Sequence, residues 1–103
     1  MLFCGQWRSA VAIDGKSHRL HVPKTFRQGL TQLYVYRDGG NMMVYGENIA
    51  PKLPPAQLGL FFPVKVDDWG RIVIPEALFQ AVFKDSKKVI WVGWGDHFEC
   101  HGE

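Results

Sequence analysis

Apolar and polar positions alternate in short runs along most of this chain. β-rich runs stand at 9–13 (SAVAI), 19–22 (RLHV), 63–66 (PVKV) and 71–74 (RIVI), with a two-residue period in RLHV and PVKV. Such a period puts one set of side chains on a buried face and predicts strands. Denser runs, LYVY (33–36) and KVIWV (88–92), predict strands covered on both faces. Asp-Gly and Gly-Asp turn signals follow each of them, in RDGG (37–40) and GWGD (93–96), so each predicts a hairpin closed by NMMVY (41–45) or HFECH (97–101).

Two segments change period. After Pro75, PEALFQAVF (75–83) places Glu76, Gln80 and Lys84 four apart, with Ala77, Leu78, Ala81 and Val82 as an apolar stripe. That predicts a short helix, its first acid suited to the positive end of the helix dipole. After Pro23, PKTFRQGL (23–30) predicts a shorter helix frayed at Gly29. Between 46 and 62 three prolines rule out a long helix and predict a linker.

The elements occur twice in the same order. Arg19-Leu20-His21-Val22-Pro23 aligns with Arg71-Ile72-Val73-Ile74-Pro75, and 33–46 aligns with 89–102. Asp14 aligns with Asp67 if the first copy carries one extra turn residue. The expected organisation is a first repeat over 1–46, a Pro-rich linker over 47–62 and a second repeat over 63–103. Each is a ββαββ unit that buries too little alone, so the two form one compact domain. The expected class is mainly β with short helices (α+β), a pseudo-symmetric barrel. Its core is expected to include Val66, Ile72, Ile74, Leu78, Val89, Ile90, Val92 and Phe98, with Trp7, Trp91 and Trp94 as core or subunit contacts.

Composition narrows the function classes. The 103 residues suffice for one core, and 47% are hydrophobic, which excludes a disordered chain. No apolar run approaches the ~18 residues of a membrane span. The opening MLFCGQWRS lacks the basic and apolar regions of a secretory leader, so a cytoplasmic location is expected. Cys4 and Cys100 form no CxxC pair and read as free thiols. The net charge of +2 is modest but uneven. Residues 1–50 hold six basic and three acidic side chains, whereas 51–103 hold six and seven, so an anionic partner would feel the first half more.

The candidate chemistry lies in two turns. In VDDWGRIVIP (66–75), Gly70 lets the turn close, and Asp67 can hold the fork of Arg71. A guanidinium so held can bond a phosphate or a guanine edge. Trp69 at the tip can stack on a base or cap the domain. In IDGKSHRLHVP (13–23), Asp14, Lys16, His18 and Arg19 cluster as phosphate contacts do. Arg8, Lys24, Arg27 and Lys65 are further phosphate candidates. His97, Glu99 and His101 share one strand face, but steps of ~6–7 Å spread three ligands too far for one zinc ion. No metal or cofactor is expected. No nucleophile has a His and carboxylate context, and no P-loop or dinucleotide fingerprint is present, so no enzyme activity is expected.

The motif Asp-x-x-Gly-Arg followed by apolar-x-apolar-Pro, standing here as DDWGRIVIP, resembles that of the MraZ family of bacterial transcription regulators, within the AbrB-like swapped-hairpin superfamily. Phe3-x-Gly5, Asp14, Lys16, Arg19, Val22-Pro23 and Phe26-Arg27 resemble the family's first repeat, and VGWGDHFE (92–99) its closing hairpin. The resemblance implies a barrel of two AbrB-like halves of double-psi type. It also implies binding to repeats in promoter DNA, a nucleoid association and assembly into a homo-oligomer, with no membrane or small-molecule partner. It carries the family's Asp and Arg onto Asp67 and Arg71, and onto Asp14 and Arg19 with an insertion. The chain departs from the family at Ser17-His18, where a single Gly is usual, and at Phe79, where a basic residue is common. The Pro-rich linker is expected to replace a helical insert, and a chain without the family's usual C-terminal extension after Glu103 is expected. The alternative is an AbrB-like protein-interaction module, an antitoxin or assembly partner, which the low net charge favours.

Overall fold

The computed structural model describes residues 3–14, 17–47, 61–84 and 86–103. The linker expected at 47–62 lies almost wholly outside these residues, as does Lys16. Among the described residues the chain is mainly β, with two short helices and antiparallel pairing throughout. In chain order the elements are β1 (Gln6–Asp14), β2 (Ser17–His21), α1 (Lys24–Arg27), β3 (Gln32–Asp38), β4 (Asn41–Gly46), β5 (Phe62–Lys65), β6 (Arg71–Ile74), α2 (Glu76–Val82), β7 (Lys88–Gly93) and β8 (His97–Gly102). The strand order is β5-β3-β4-β8-β7-β1-β2-β6.

The first strand of each half pairs with the third strand of the other: β1 with β7, and β5 with β3. β1 serves two ladders, residues 6–10 pairing with β7 and 11–14 with β2. The hydrogen-bonded sheet is not closed. Its two edges, β5 and β6, share no ladder, although the turn at 66–70 joins them directly.

Two ladders carry the internal repeat. β2 pairs with β6, its own counterpart, and β4 pairs with β8. Leu20 lies opposite Ile72, its aligned equivalent. Arg19↔Val73 and His21↔Arg71 are then each other's images. Met43 likewise faces its equivalent Glu99, and Met42↔Cys100 is the image of Val44↔Phe98. A pseudo-two-fold axis through both ladders accounts for these registers. Pro23 and Pro75 share one conformation (φ −53° in each, ψ 139° and 135°) and immediately precede their helices. α1 ends after one turn, where Gln28 and Gly29 both take positive φ.

Residues of both halves fill one core. Trp91, Phe26 and Phe98 are fully buried, and the Phe98 ring lies 4.8 Å from both Phe3 and Phe26. The Trp91 indole N–H donates to the Ser9 hydroxyl at 2.9 Å. Several expected core positions change. Leu78, Val89, Ile72, Ile74 and Phe98 are buried, and Val66 is half-buried. Ile90 and Val92 are only half-buried, because on β7 the inward set is Val89 and Trp91. Trp7 and Trp94 are exposed. On α2 the buried side is Leu78 and Phe79, continued by Phe83 just past its end, whereas Ala77 and Ala81 face out. The bulk of the two phenylalanines rotates the helix away from the alanine stripe.

Candidate nucleic-acid interface

The second turn is built around one carboxylate. Asp67 Oδ1 accepts the backbone N–H of Trp69 (2.9 Å) and of Arg71 (2.8 Å). Oδ2 accepts the Arg71 Nε–H at 3.0 Å. Backbone bonds from Gly70 N–H to Asp67 C=O and from Asp67 N–H to Arg71 C=O close the loop, each 2.9 Å. The Arg71 N–H, aided by the Trp69 N–H and the Arg71 guanidinium, holds the Asp67 carboxyl below the ordinary carboxylate value. The Trp69 ring, 70% exposed, lies 4.8 Å from the Arg71 guanidinium carbon, within cation–π range. Asp67 engages only Nε, so both Nη groups remain as donors for a partner.

Gly70 suits this place on two counts. Its φ of +80° suits glycine, and a Cβ at this site would come within 2.6–2.7 Å of the Arg27 Cζ and Cδ. Arg27, from α1 of the first half, thus lies against the turn of the second. Beside it opens a groove of about 500 Å³, where Lys24 and Arg27 meet Asp67 and Asp68.

β2 and β6 set the arginines beside each other. Leu20 and Ile72 point into the core with no exposure, so alternation turns Arg19, His21, Arg71 and Val73 to the outer face. His21 and Val73 are exposed there, and Arg19 and Arg71 are half-buried. In this register Arg19 and Arg71 are diagonal neighbours, ~7–8 Å apart by ordinary sheet geometry. The two arginines form one face, where the sequence alone offered two separate turns.

The first turn differs from the second. Six residues, 13–18, separate the paired Ala12 and Arg19, whereas three, 68–70, separate Asp67 from Arg71. Ala12, not Asp14, therefore occupies the place of Asp67, and the β3 and β7 ladders give the same correspondence. The expected equivalence of Asp14 and Asp67 is corrected on this register: β1 and β2 run on past the arginine as a hairpin ladder, with Asp14 opposite Ser17. His18 turns inward, and its ring stacks on Phe79 with centroids 3.7 Å apart. The pair is the symmetry image of Gly70 and Arg27. The two departures from the family pattern, at His18 and Phe79, are thus one contact.

Other expected site residues lie apart. Arg8 is on the β7-paired end of β1, in an exposed ion pair with Glu103 (3.2 Å). Lys65 is exposed on β5. His97 stacks on Tyr45, and no three His, Cys, Asp or Glu side chains converge on a metal site among the described residues. No helix among them is long and apolar enough to cross a membrane. Sequence reasoning did not single out His21 and Val73 as candidates, although alternation from Arg19 and Arg71 places both on the same face. Compared with models of known protein families and with curated proteins, the chain matches none.

Proposed function

We propose that this chain is a sequence-specific, DNA-binding transcription regulator of the MraZ-like kind, and that it contacts duplex DNA through Arg71 and Arg19. The observation that carries this reading is Arg71 fixed by Asp67 with both Nη groups spare, beside Arg19 on one outward strand face. A guanidinium held this way is pre-organised for the O6/N7 edge of guanine or for a phosphate. Trp69 flanks it with an exposed ring suited to sugar or base contact. Lys24, Lys65 and Arg8 supply phosphate contacts at the margins. On this reading the sheet is a pseudo-symmetric AbrB-like barrel with its seam at the Asp67 turn, and homo-oligomers in the nucleoid bind promoter repeats.

Gel shifts test the proposal. Arg71→Ala should weaken binding by about 1–3 kcal/mol, the worth of a bidentate base contact. Arg19→Ala should weaken it less, since Phe79 packs beside it on His18 where the other half brings Arg27 to the turn, and both should keep the parental Tm. Affinity should fall steeply with salt. If both variants bind as the parent does, the proposal is wrong.

A second reading, a protein-interaction module, is favoured by one observation. Phe62, 52% exposed, joins Tyr36, Ala77, Leu78 and Ala81 around an open groove of about 280 Å³. It predicts assembly that persists without DNA and at high salt.

A further inference from the structure

Val73 is 47% exposed, although it sits between two arginines on the outer face of β2–β6. Four outward side chains occupy the corners of a rectangle there. Arg19 faces Val73, His21 faces Arg71, and the pseudo-two-fold axis passes between Leu20 and Ile72. One diagonal is the same residue twice, Arg19 and Arg71. The other is His21 and Val73, which differ.

We propose that this four-residue face of the β2–β6 ribbon is the base-reading element, and that it selects a quasi-palindromic duplex whose halves share an arginine-read guanine but differ beside it, with a thymine opposite Val73. The inference rests on the DNA-binding reading above and adds the kind of site bound. The major groove admits a two-stranded β-ribbon, and B-DNA has local two-folds of its own. Aligning the protein axis with a DNA two-fold presents Arg71 and Arg19 to equivalent positions on opposite strands. At the remaining corners the symmetry breaks. Val73 offers only an apolar surface, and the C5-methyl of thymine is the one apolar group on a major-groove edge. His21 offers a ring nitrogen and so takes a polar base edge. The arginines supply attraction common to both halves, and the second diagonal orients the chain on the site.

The test is selection of bound sites from random duplex DNA by the full chain, by Val73→Ala and by His21→Val, with Tm measured for each. The parent should enrich a quasi-palindrome with thymine preferred in one half. Val73→Ala should lose that preference, and His21→Val should acquire it in both halves and select a symmetric site. Replacing the selected thymine by deoxyuridine, which lacks only the methyl, should weaken the parent about fourfold, the worth of one methyl taken out of water. It should leave Val73→Ala unchanged. Enrichment of a sequence with no two-fold relation, or the same sequence from all three proteins, overturns the inference while DNA binding stands. Binding without enrichment also overturns it, because the ribbon then meets only phosphates. If no duplex is bound by the folded parent, the DNA-binding reading fails and this one with it.

Discussion

Asp67 organises the second turn alone. Its carboxylate satisfies two backbone N–H groups and one guanidinium, which is why its pKa is depressed. A group whose folded pKa lies below the unfolded value stabilises the fold above that unfolded value, near 3.9. The contribution fades as pH falls through the folded pKa. At neutral pH it is fully present. NMR should show Asp67 titrating below an ordinary aspartate, with the Trp69 and Arg71 amide shifts moving at the same midpoint. Asp67→Asn should abolish that coupled transition. An Asp67 midpoint at the ordinary value would mean that the turn is not held by these bonds.

Among the elements, the two helices differ most from their common pattern. Each follows a proline of the same conformation, and the fourth residue after it packs on the other half's turn. In one half this is Arg27 on Gly70, a cation brought to the candidate site. In the other it is Phe79 on His18, a ring stack that closes the surface. A double-mutant cycle over His18→Ala and Phe79→Ala should give a coupling of about 0.5–1.5 kcal/mol in urea unfolding. Phe79→Ala alone should cost about 3–5 kcal/mol, because the side chain is 3% exposed in the core. Additive effects would show that the stack carries no energy. This element-level contact explains why the two arginines are expected to contribute unequally to binding.

At the scale of the whole molecule, both halves share one core through exchanged strands. Cys100 reports on that joint. It is fully buried on β8 opposite Met42, and burial first, then the nearby Glu99, pushes its thiol pKa well up. Cys4 is exposed. A thiol reagent at neutral pH should therefore modify Cys4 readily, while Cys100 reacts only on global unfolding. Mass mapping with and without denaturant checks this. Equal rates at both cysteines would show that the β4–β8 ladder opens on its own.

The strands at 19–22, 33–36, 71–74 and 88–92, the turns at Gly39 and Gly95, and the helices after Pro23 and Pro75 were legible in the sequence. Each is set by contacts within a few residues: side-chain period, turn chemistry, a missing N–H. The Asp67–Arg71 turn was legible for the same reason. The partner of each strand was not. Pairing β1 with β7 and β5 with β3 joins segments far apart in the chain, and only the shared core selects between that exchange and pairing within each repeat. Three consequences needed the fold. Trp91 displaced Ile90 and Val92 from the core, because register picks one face of a strand apolar on both. Ala12, not Asp14, came to stand at the place of Asp67. Arg19 and Arg71, remote in sequence, became diagonal neighbours across a single ladder. The sequence by itself determined the local shape around each candidate residue, the Asp67–Arg71 turn among them. The tertiary structure decided which of them meet, because their meeting depends on a strand register that no local pattern encodes.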